Sequence, residues 1–357
     1  MNPPATTKRV FRIEMWLDPV FEERLGREPG VVLVRCPVKA SEDEFFQAVS
    51  TAHVYHTSSA KDEVPHHAFT TDALIGRCPE LLIVSTYGAG YDTVDVAACT
   101  RAGIIVVNQA GGNAQSVAEH TLGFALAVSH RIGESDRLLR RARGFSREDL
   151  MGREIAGKVF GVVGIGHVGT SVARLARAFG MEVLAVDPYL TEEEIARRGA
   201  RAVTFEALLA QSDFVSLHCP RDKSTLGMMN ADAFAQMKPG SVFLTTARGG
   251  IHDEKALLAA LRSGQLAGAG IDVWDREPPP LDHPLLACDN VVGTVHTAGV
   301  TREARRNVAA MGAEQIAGLL KGGRPPRLVN PEAWPAYVAR FEALMGIAVA
   351  KANTDED

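Results

Sequence analysis

The sequence predicts an α/β protein built from two doubly wound parallel sheets, and three observations support this fold class. Short β-branched apolar runs alternate with helical stretches along most of the chain, a glycine-rich turn lies near its middle, and the composition is that of a globular protein. With 357 residues, 46% of them hydrophobic and 23% charged, the chain has enough material for two domains.

Five apolar runs in the first third of the chain predict the strands of one parallel sheet. They occupy residues 10–16, 31–35, 52–56, 81–85 and 104–107. A long helical pattern over 114–143 follows and separates this sheet from the next one.

A second sheet is predicted from the strands that flank the glycine-rich turn and from four later runs, at 214–218, 242–246, 267–273 and 290–296. An amphipathic helix over 301–321 ends at the glycine and proline cluster of 322–326. Beyond it, apolar residues at helical spacing are expected to pack the last segment onto the body of the protein, namely Trp334, Tyr337, Phe341 and Leu344.

The glycine-rich turn is the most specific motif, with the hexapeptide Gly-Ile-Gly-His-Val-Gly after an apolar run. Gly164 would allow the sharp turn, Gly166 the close approach of a pyrophosphate, and Gly169 the close packing of the next helix. The phosphates would then lie at the N-terminus of that helix, beside His167 and Val168. The pattern predicts a dinucleotide-binding βαβ unit.

A carboxylate closes the strand after this helix, at a distance of about 20 residues from the motif that suits recognition of an adenosine ribose. This residue is Asp187. A 2′-phosphate would meet its negative charge, and the following Pro188 and Tyr189 provide no arginine to offset it. The sequence therefore favours NAD over NADP.

Composition excludes several classes of partner. The formal charge of −5 gives no basic surface for nucleic acid or an anionic membrane, and no apolar run is long enough to span a bilayer. The N-terminus lacks the apolar stretch of a signal peptide, and the five scattered cysteines predict neither a disulfide framework nor a metal site. A reducing cytoplasm is the expected location.

Three further segments, 245–250, 270–278 and 293–299, end or follow strands of the second sheet and supply Arg248, Glu277 and His296. Oxidation of an alcohol by hydride transfer needs a base for the hydroxyl proton, and histidine serves near neutral pH, with a nearby carboxylate favouring its charged form. Arginine suits a substrate carboxylate. Taken singly, each residue has another reading, as a strand-end cap, a surface turn or a core histidine.

The ordered motifs closely resemble those of the D-isomer-specific 2-hydroxyacid dehydrogenase family, over nearly the whole chain. By this resemblance Arg248 would orient the substrate, Glu277 would support His296, and His296 would be the acid/base. Asp272 would face the nicotinamide amide. Further cofactor contacts would come from His218, Cys219, Pro220, Thr246, Ala247, Arg248, His296 and Ala298, and further substrate contacts from Tyr87, Gly88 and Ala89.

The resemblance also implies a domain organisation. A discontinuous, flavodoxin-like substrate domain (1–113 plus 300–357) would carry an inserted Rossmann NAD-binding domain (114–299), and members are usually homodimers. The chain is too short after the NAD domain for the appended regulatory domain of long phosphoglycerate dehydrogenases. Thr245 and Val295 replace the family's frequent asparagine and proline, and Val295 is expected to leave the backbone of the histidine less rigid.

The expected reaction interconverts a small-molecule D-2-hydroxy acid and its 2-oxo acid with NAD(H). Residues 55–59, after the third strand, contain no arginine to meet a phosphate group, which favours an unphosphorylated acid. Alternatives remain open because fold alone does not fix function: an NAD(H)-sensing corepressor-like binding protein, or a phosphoglycerate, formate or phosphonate dehydrogenase on the same scaffold.

Overall fold

The structure is a computed structural model and describes residues 7–350. The chain divides into two compact units. Unit 1 contains the residues up to Asn113 and those from Arg302 onward, and unit 2 contains Ala114–Thr301.

The strands are β1 (Lys8–Glu14), β2 (Val31–Pro37), β3 (Val54–Thr57), β4 (Ile83–Thr86), β5 (Ile105–Val107), β6 (Val159–Val163), β7 (Glu182–Val186), β8 (Arg201–Ala202), β9 (Phe214–Leu217), β10 (Ser241–Thr245), β11 (Leu266–Ile271) and β12 (Val291–Gly293). The helices are α1 (Val20–Leu25), α2 (Glu42–Val49), α3 (Asp72–Gly76), α4 (Val96–Arg101), α5 (Ala114–Ser129), α6 (Ile132–Arg141), α7 (His167–Ala178), α8 (Glu192–Arg197), α9 (Phe205–Gln211), α10 (Ala231–Gln236), α11 (Glu254–Arg262), α12 (Arg302–Leu319) and α13 (Trp334–Met345).

Unit 1 has one five-stranded parallel sheet in the order β2-β1-β3-β4-β5. One core joins apolar strand residues such as Val10 and Ile105 to α12 and α13, which contribute Ile316, Tyr337 and Phe341. The predicted packing of the C-terminal segment is confirmed for Tyr337 and Phe341, whereas Leu344 is exposed.

Unit 2 has one seven-stranded parallel sheet in the order β12-β11-β10-β9-β6-β7-β8. Chain order runs outward from β6 to β8 in one direction and from β9 to β12 in the other, so the order reverses between the paired strands β6 and β9. In open α/β sheets, ligands bind beyond the carboxyl ends of the strands at such a point. Two parallel sheets confirm the predicted fold class.

The helix predicted over 114–143 is instead two helices, α5 and α6. Arg131 lies between them in the left-handed region, with φ of 54°. Its guanidinium donates to the carboxylate of Glu134 and to the carbonyl of Asp149, and these bonds hold a conformation that a non-glycine residue rarely adopts.

Within residues 7–350, no helix combines the length and the apolar character that crossing a bilayer requires.

Candidate active site

The turn after β6 requires two of its glycines for steric reasons. Gly164 has φ of 88°, and a Cβ atom there would lie 2.8 Å from the backbone nitrogen of Cys219. A Cβ atom on Gly169 would lie 2.2 Å from the carbonyl oxygen of Gly164. Both positions therefore exclude any side chain, and α7 packs directly onto the turn.

The third glycine faces open space. A Cβ atom on Gly166 would meet nothing within 4 Å. The backbone N–H groups of Gly166, His167 and Val168 donate to no acceptor among residues 7–350, and no side chain caps α7. Unpaired donors at the positive end of a helix form an anion site, so this turn fits a dinucleotide pyrophosphate.

Asp187 lies at the carboxyl end of β7 and is fixed against the same turn. Its carboxylate accepts the backbone N–H of Ile165 at 3.1 Å and that of Tyr189 at 3.1 Å. The guanidinium of Arg198 donates to the carbonyl oxygen of Ile165 at 2.7 Å. An arginine thus approaches the turn from the end of α8. The sequence-based expectation rested only on Pro188 and Tyr189, and Arg198 lies further along the chain.

His218, Cys219 and Pro220 follow β9, beside the glycine turn. Desolvation lowers the pKa of His218 to about 3, and its Nε2 lies 2.9 Å from the hydroxyl of Ser216, so the ring is neutral. Burial raises the pKa of the Cys219 thiol to about 11, which keeps it protonated. The side chains of these residues are therefore uncharged where they lie beside the turn.

Glu277 and His296 form a hydrogen-bonded pair. Oε2 of Glu277 lies 2.8 Å from Nδ1 of His296, and Oε1 accepts the backbone N–H of Trp274 at 3.0 Å. Burial alone would raise the pKa of Glu277, but the hydrogen bond and charge of His296, the Trp274 N–H and the charge of Arg248 together lower it. The carboxylate is therefore ionised and holds the histidine ring.

Arg248 follows β10 and is half-buried. Its Nη1 donates to the carbonyl oxygen of Ala247 at 2.7 Å, and its charge helps to lower the pKa of Glu277. Of its predicted neighbours, Ala247 is buried and the hydroxyl of Thr246 lies 3.3 Å from that of Thr121 on α5. The structure thus brings the three predicted catalytic side chains into one region of unit 2.

Asp272 is fully buried at the end of β11 and organises the histidine loop. Its carboxylate accepts the N–H groups of Thr297 at 2.7 Å and Ala298 at 2.9 Å and the hydroxyl of Thr294 at 2.5 Å. Its carbonyl oxygen accepts the N–H of His296 at 2.7 Å. The carboxylate therefore holds the loop on both sides of His296, through the hydroxyl of Thr294 before it and the backbone of Thr297 and Ala298 after it.

The same bonds explain two departures from expectation. The predicted strand over 290–296 ends at Gly293, and the segment after it follows Asp272, whose carbonyl accepts the N–H of His296 and whose carboxylate accepts those of Thr297 and Ala298. His296 has φ of 56°, in the left-handed region, and the preceding Val295 is 63% exposed. Hydrogen bonds to Asp272 fix the backbone of this loop, although Val295 stands where the family frequently has a proline.

The predicted substrate loop of unit 1 follows β4. Gly88 has φ of 110°, and its carbonyl accepts the N–H of Gln109 at 2.7 Å, while the carbonyl of Ala89 accepts the side-chain amide of Asn108 at 2.8 Å. Among residues 7–350, no acceptor pairs with the N–H groups of Gly88 and Ala89. These two donors are therefore available to an anion.

Tyr87 is placed differently from these glycine-loop donors. Its ring is buried, lies 4.2 Å from the ring of His56, and directs its hydroxyl toward the carbonyl of Ile13. Burial raises the pKa of Tyr87 to about 12. The phenol is part of the interior of unit 1.

Comparison with known proteins identifies the family. Residues 122–298 match the family model described as D-isomer specific 2-hydroxyacid dehydrogenase, NAD binding domain. The chain is 37% identical over 323 residues to a glyoxylate reductase of Thermofilum pendens, covering 88% of this chain and 94% of the relative. The chain belongs to the D-isomer-specific 2-hydroxyacid dehydrogenase family. It therefore carries the NAD-binding domain of that family.

Other members of this 2-hydroxyacid dehydrogenase family differ in length from the chain. It is 43% identical over 249 residues to a D-3-phosphoglycerate dehydrogenase of Archaeoglobus fulgidus, covering 70% of this chain and 47% of the relative. The chain spans about half the length of the first phosphoglycerate dehydrogenases it matches. The crystal structure of a glyoxylate reductase from Paecilomyes thermophila superposes with a TM-score of 0.80 at 26% identity, covering 92% of this chain and 99% of that one.

Two residues in the 2-hydroxyacid dehydrogenase site went unnoticed in the sequence. Trp274 lies in the segment 270–278, within which the sequence singled out only Asp272 and Glu277, yet its backbone N–H bonds Glu277 directly. His120 on α5 places its Nε2 3.1 Å from the hydroxyl of Thr294, which in turn bonds Asp272. The helical pattern around His120 gave no sign of this contact, because it joins residues 174 positions apart.

Proposed function

We propose that this protein is an NAD-dependent oxidoreductase that interconverts a D-2-hydroxy acid and its 2-oxo acid. The observation that carries the proposal is the 2.8 Å hydrogen bond between Glu277 and His296, with Arg248 close enough to influence the same carboxylate. A histidine held by a carboxylate and accompanied by an arginine suits proton transfer to an acid substrate.

Each residue would have a distinct part in the reaction. NADH, when bound, supplies the hydride for the carbonyl carbon. His296 would give a proton to the carbonyl oxygen during reduction and take it from the hydroxyl during oxidation, through Nε2, since Nδ1 is held by Glu277. Arg248 would bind the substrate carboxylate and stabilise charge on the carbonyl oxygen. We assign further carboxylate binding to the N–H groups of Gly88 and Ala89.

Cofactor binding is assigned to the glycine turn and its neighbours. Gly166, His167 and Val168 would hold the pyrophosphate, and Asp187 the adenosine ribose. The further assignments are those made from the sequence: Gly164, His218, Cys219, Pro220, Thr246, Ala247, Arg248, Asp272, His296 and Ala298.

We infer that the substrate is unphosphorylated. Arg12, on β1 of unit 1, is buried, and its guanidinium is occupied by the carboxylate of Glu22 and by the carbonyls of Ile13 and Met15. The residue after β3, Ser58, donates to the carboxylate of Glu63. The carboxyl group of Glu63 near Tyr87 and the already paired guanidinium of Arg12 both disfavour a phosphate group on the substrate.

A screen of NADH consumption tests the function and the substrate class together. Glyoxylate, hydroxypyruvate, pyruvate, bulkier 2-oxo acids and phosphohydroxypyruvate are compared under the same conditions, with His296→Asn as the inactive control. We expect turnover of unphosphorylated acids. Preference for phosphohydroxypyruvate would contradict the substrate class, and NADH binding without turnover of any acid would support the sensing role instead.

We also propose that the protein is a homodimer. None of the residues of α6 is buried, and its apolar Ile132 and Leu139 are exposed, as is Met151. A cavity of about 400 Å³ opens beside them, lined by Val128 and Met151 among others. A second copy of the chain would cover this apolar surface, because soluble monomers rarely leave such patches open.

Light scattering after size exclusion checks the assembly. Leu139→Asp should yield monomers, whereas Leu281→Asp, at a leucine that is 99% exposed in a different loop, should leave the mass unchanged. A monomeric wild-type protein would refute the dimer.

A reducing, cytoplasmic location remains part of the proposal. All five cysteines are free thiols, three of them buried. Such thiols persist where disulfides are kept reduced. Cell fractionation with an antibody to the protein checks this assignment.

A further inference from the structure

Trp274 lies where the loops that carry the three predicted catalytic side chains meet. It follows β11 and is only 3% exposed. Its backbone N–H donates to Oε1 of Glu277 at 3.0 Å, and its indole Nε1–H donates to the carbonyl oxygen of Thr294 at 2.9 Å. One residue thus holds the glutamate with its backbone and the histidine loop with its side chain.

The ring also fixes how closely these loops approach. Gly293, at the end of β12, faces the indole so closely that a Cβ atom there would lie 3.0 Å from Cζ2 of Trp274. Gly249, next to Arg248, packs on the backbone of Trp274, where a Cβ atom would lie 2.0 Å from the carbonyl oxygen. The arginine loop therefore rests on the same residue.

A histidine also contacts the indole ring. The ring of His283 meets it edge-on, with centroids 5.4 Å apart, and Nε2 of His283 lies 3.0 Å from Oε2 of Glu254. Oε1 of Glu254 accepts the backbone N–H of Asp275 at 2.9 Å. Trp274 is therefore in contact with His283 as well as with Thr294 and Gly293.

We propose that Trp274 is a positioning residue for the Glu277 and His296 pair, and that its indole N–H is the group responsible. This inference rests on the proposed function. A phenylalanine would fill most of the same volume, yet it would leave the carbonyl of Thr294 without its donor and release the histidine loop from the glutamate loop. The 2.8 Å bond within the pair depends on the separation of those two loops.

The substitution Trp274→Phe tests this role, with Trp334→Phe on α13 of unit 1 as the matched control. We expect kcat for 2-oxo acid reduction to fall about fivefold to tenfold, the effect of losing one buried hydrogen bond. The KM for NADH should change less than kcat, since the glycine turn and Asp187, which would hold the pyrophosphate and the ribose, do not contact the indole. The basic limb of the kcat/KM profile should move to lower pH.

The other charged and titratable groups around the pair are left in place by this substitution. They are Arg248 after β10, Asp272 and Asp275 on the loop of Glu277, Glu254 on α11, His283, and His120 on α5. A change in the pH profile would therefore report the altered contact between Glu277 and His296. An unchanged profile, or a loss of kcat that Trp334→Phe shares, would overturn the proposal.

A spectroscopic measurement tests, without any catalytic assay, whether Trp274 positions the Glu277 and His296 pair. Proton NMR of the imidazole N–H region should show a hydrogen-bonded Nδ1 proton for His296 in the wild type and in Trp334→Phe, and its loss or broadening in Trp274→Phe. If the wild type reduced no 2-oxo acid, the proposed function would fail while this signal still tested Trp274. Should Trp274→Phe not fold, Trp274→Met also lacks any side-chain donor for the carbonyl of Thr294 and serves the same comparison.

Discussion

Glu277 and His296 are joined by a 2.8 Å hydrogen bond in which the histidine nitrogen is the donor. An ionised carboxylate can only accept, so Nδ1 carries a proton and Nε2 is the nitrogen left for exchange with a substrate. The lowered pKa of Glu277 keeps this arrangement intact into the acidic range.

Removing the charge of the glutamate should change the pH dependence of catalysis. In Glu277→Gln the hydrogen-bonded group beside His296 loses its negative charge, so reduction should lose rate at a lower pH than in the wild type. Stopped-flow or steady-state measurements of NADH oxidation between pH 5 and 9 give this pH dependence. The exposed Glu332→Gln is the control, and coincident profiles for the two variants would remove Glu277 from the mechanism.

Two glycines of the turn should respond differently to alanine. Gly169→Ala places a methyl group 2.2 Å from a carbonyl oxygen, so we expect a loss of several kcal/mol in the free energy of unfolding. Gly166→Ala meets no atom within 4 Å and should fold with a stability within about 0.5 kcal/mol of the wild type, but bind NADH weakly. Urea unfolding and NADH fluorescence titration separate the two effects. Equal NADH affinity in Gly166→Ala and the wild type would argue against the pyrophosphate site.

The charge of Asp187 should set the choice between dinucleotides. Asp187→Asn keeps an acceptor oxygen for only one of the N–H groups of Ile165 and Tyr189, but it removes the repulsion of a 2′-phosphate, while Arg198 remains near the turn. We expect NADPH affinity to rise by about tenfold relative to NADH. Competitive titration with both dinucleotides measures the ratio. An unaltered ratio would show that other groups select the cofactor.

A buried histidine outside the site should weaken the fold in acid. Burial lowers the pKa of His252 to about 4, and neither ring nitrogen has a partner among residues 7–350. The unfolded chain takes up this proton near pH 6.5, so stability is lost as the pH falls from there toward 4. His252→Leu should gain up to about 3 kcal/mol relative to the wild type between pH 7.5 and 4.

Urea unfolding at several pH values measures that gain. The exposed His130→Leu is the control, because it removes a histidine that solvent already surrounds. A gap between His252→Leu and the wild type that stays constant with pH would contradict the assignment.

Local sequence determined much of the fold. The β-branched runs predicted eleven of the strands because their side chains suit a buried parallel sheet, and the spacing of Gly164, Gly166 and Gly169 predicted the turn because each position has its own steric demand. The support of His296 by Glu277 was implied by the family resemblance, and their places after neighbouring strands agree with it, since the carboxyl ends of parallel strands lie at one edge.

Contacts between residues far apart in the chain determine the features of the fold that the sequence did not predict. Arginine is a good helix former, so nothing local shows that Arg131 breaks the helix; the bonds to Glu134 and Asp149 do so. The course of the chain after β12 depends on Asp272, which lies 25 and 26 positions before Thr297 and Ala298, whose N–H groups it binds. The buried ring of Tyr87 likewise follows from packing against His56.

The core shared by β1, β5, α12 and α13 has a consequence for biosynthesis. Unit 2 is continuous, so its hydrophobic residues have all emerged once Thr301 leaves the ribosome. The apolar face of the first sheet, by contrast, is covered only after Ile316, Tyr337 and Phe341 have been synthesised. Nascent chains will therefore expose that face throughout translation of the intervening 188 residues between Asn113 and Arg302, which makes it the natural target for chaperones.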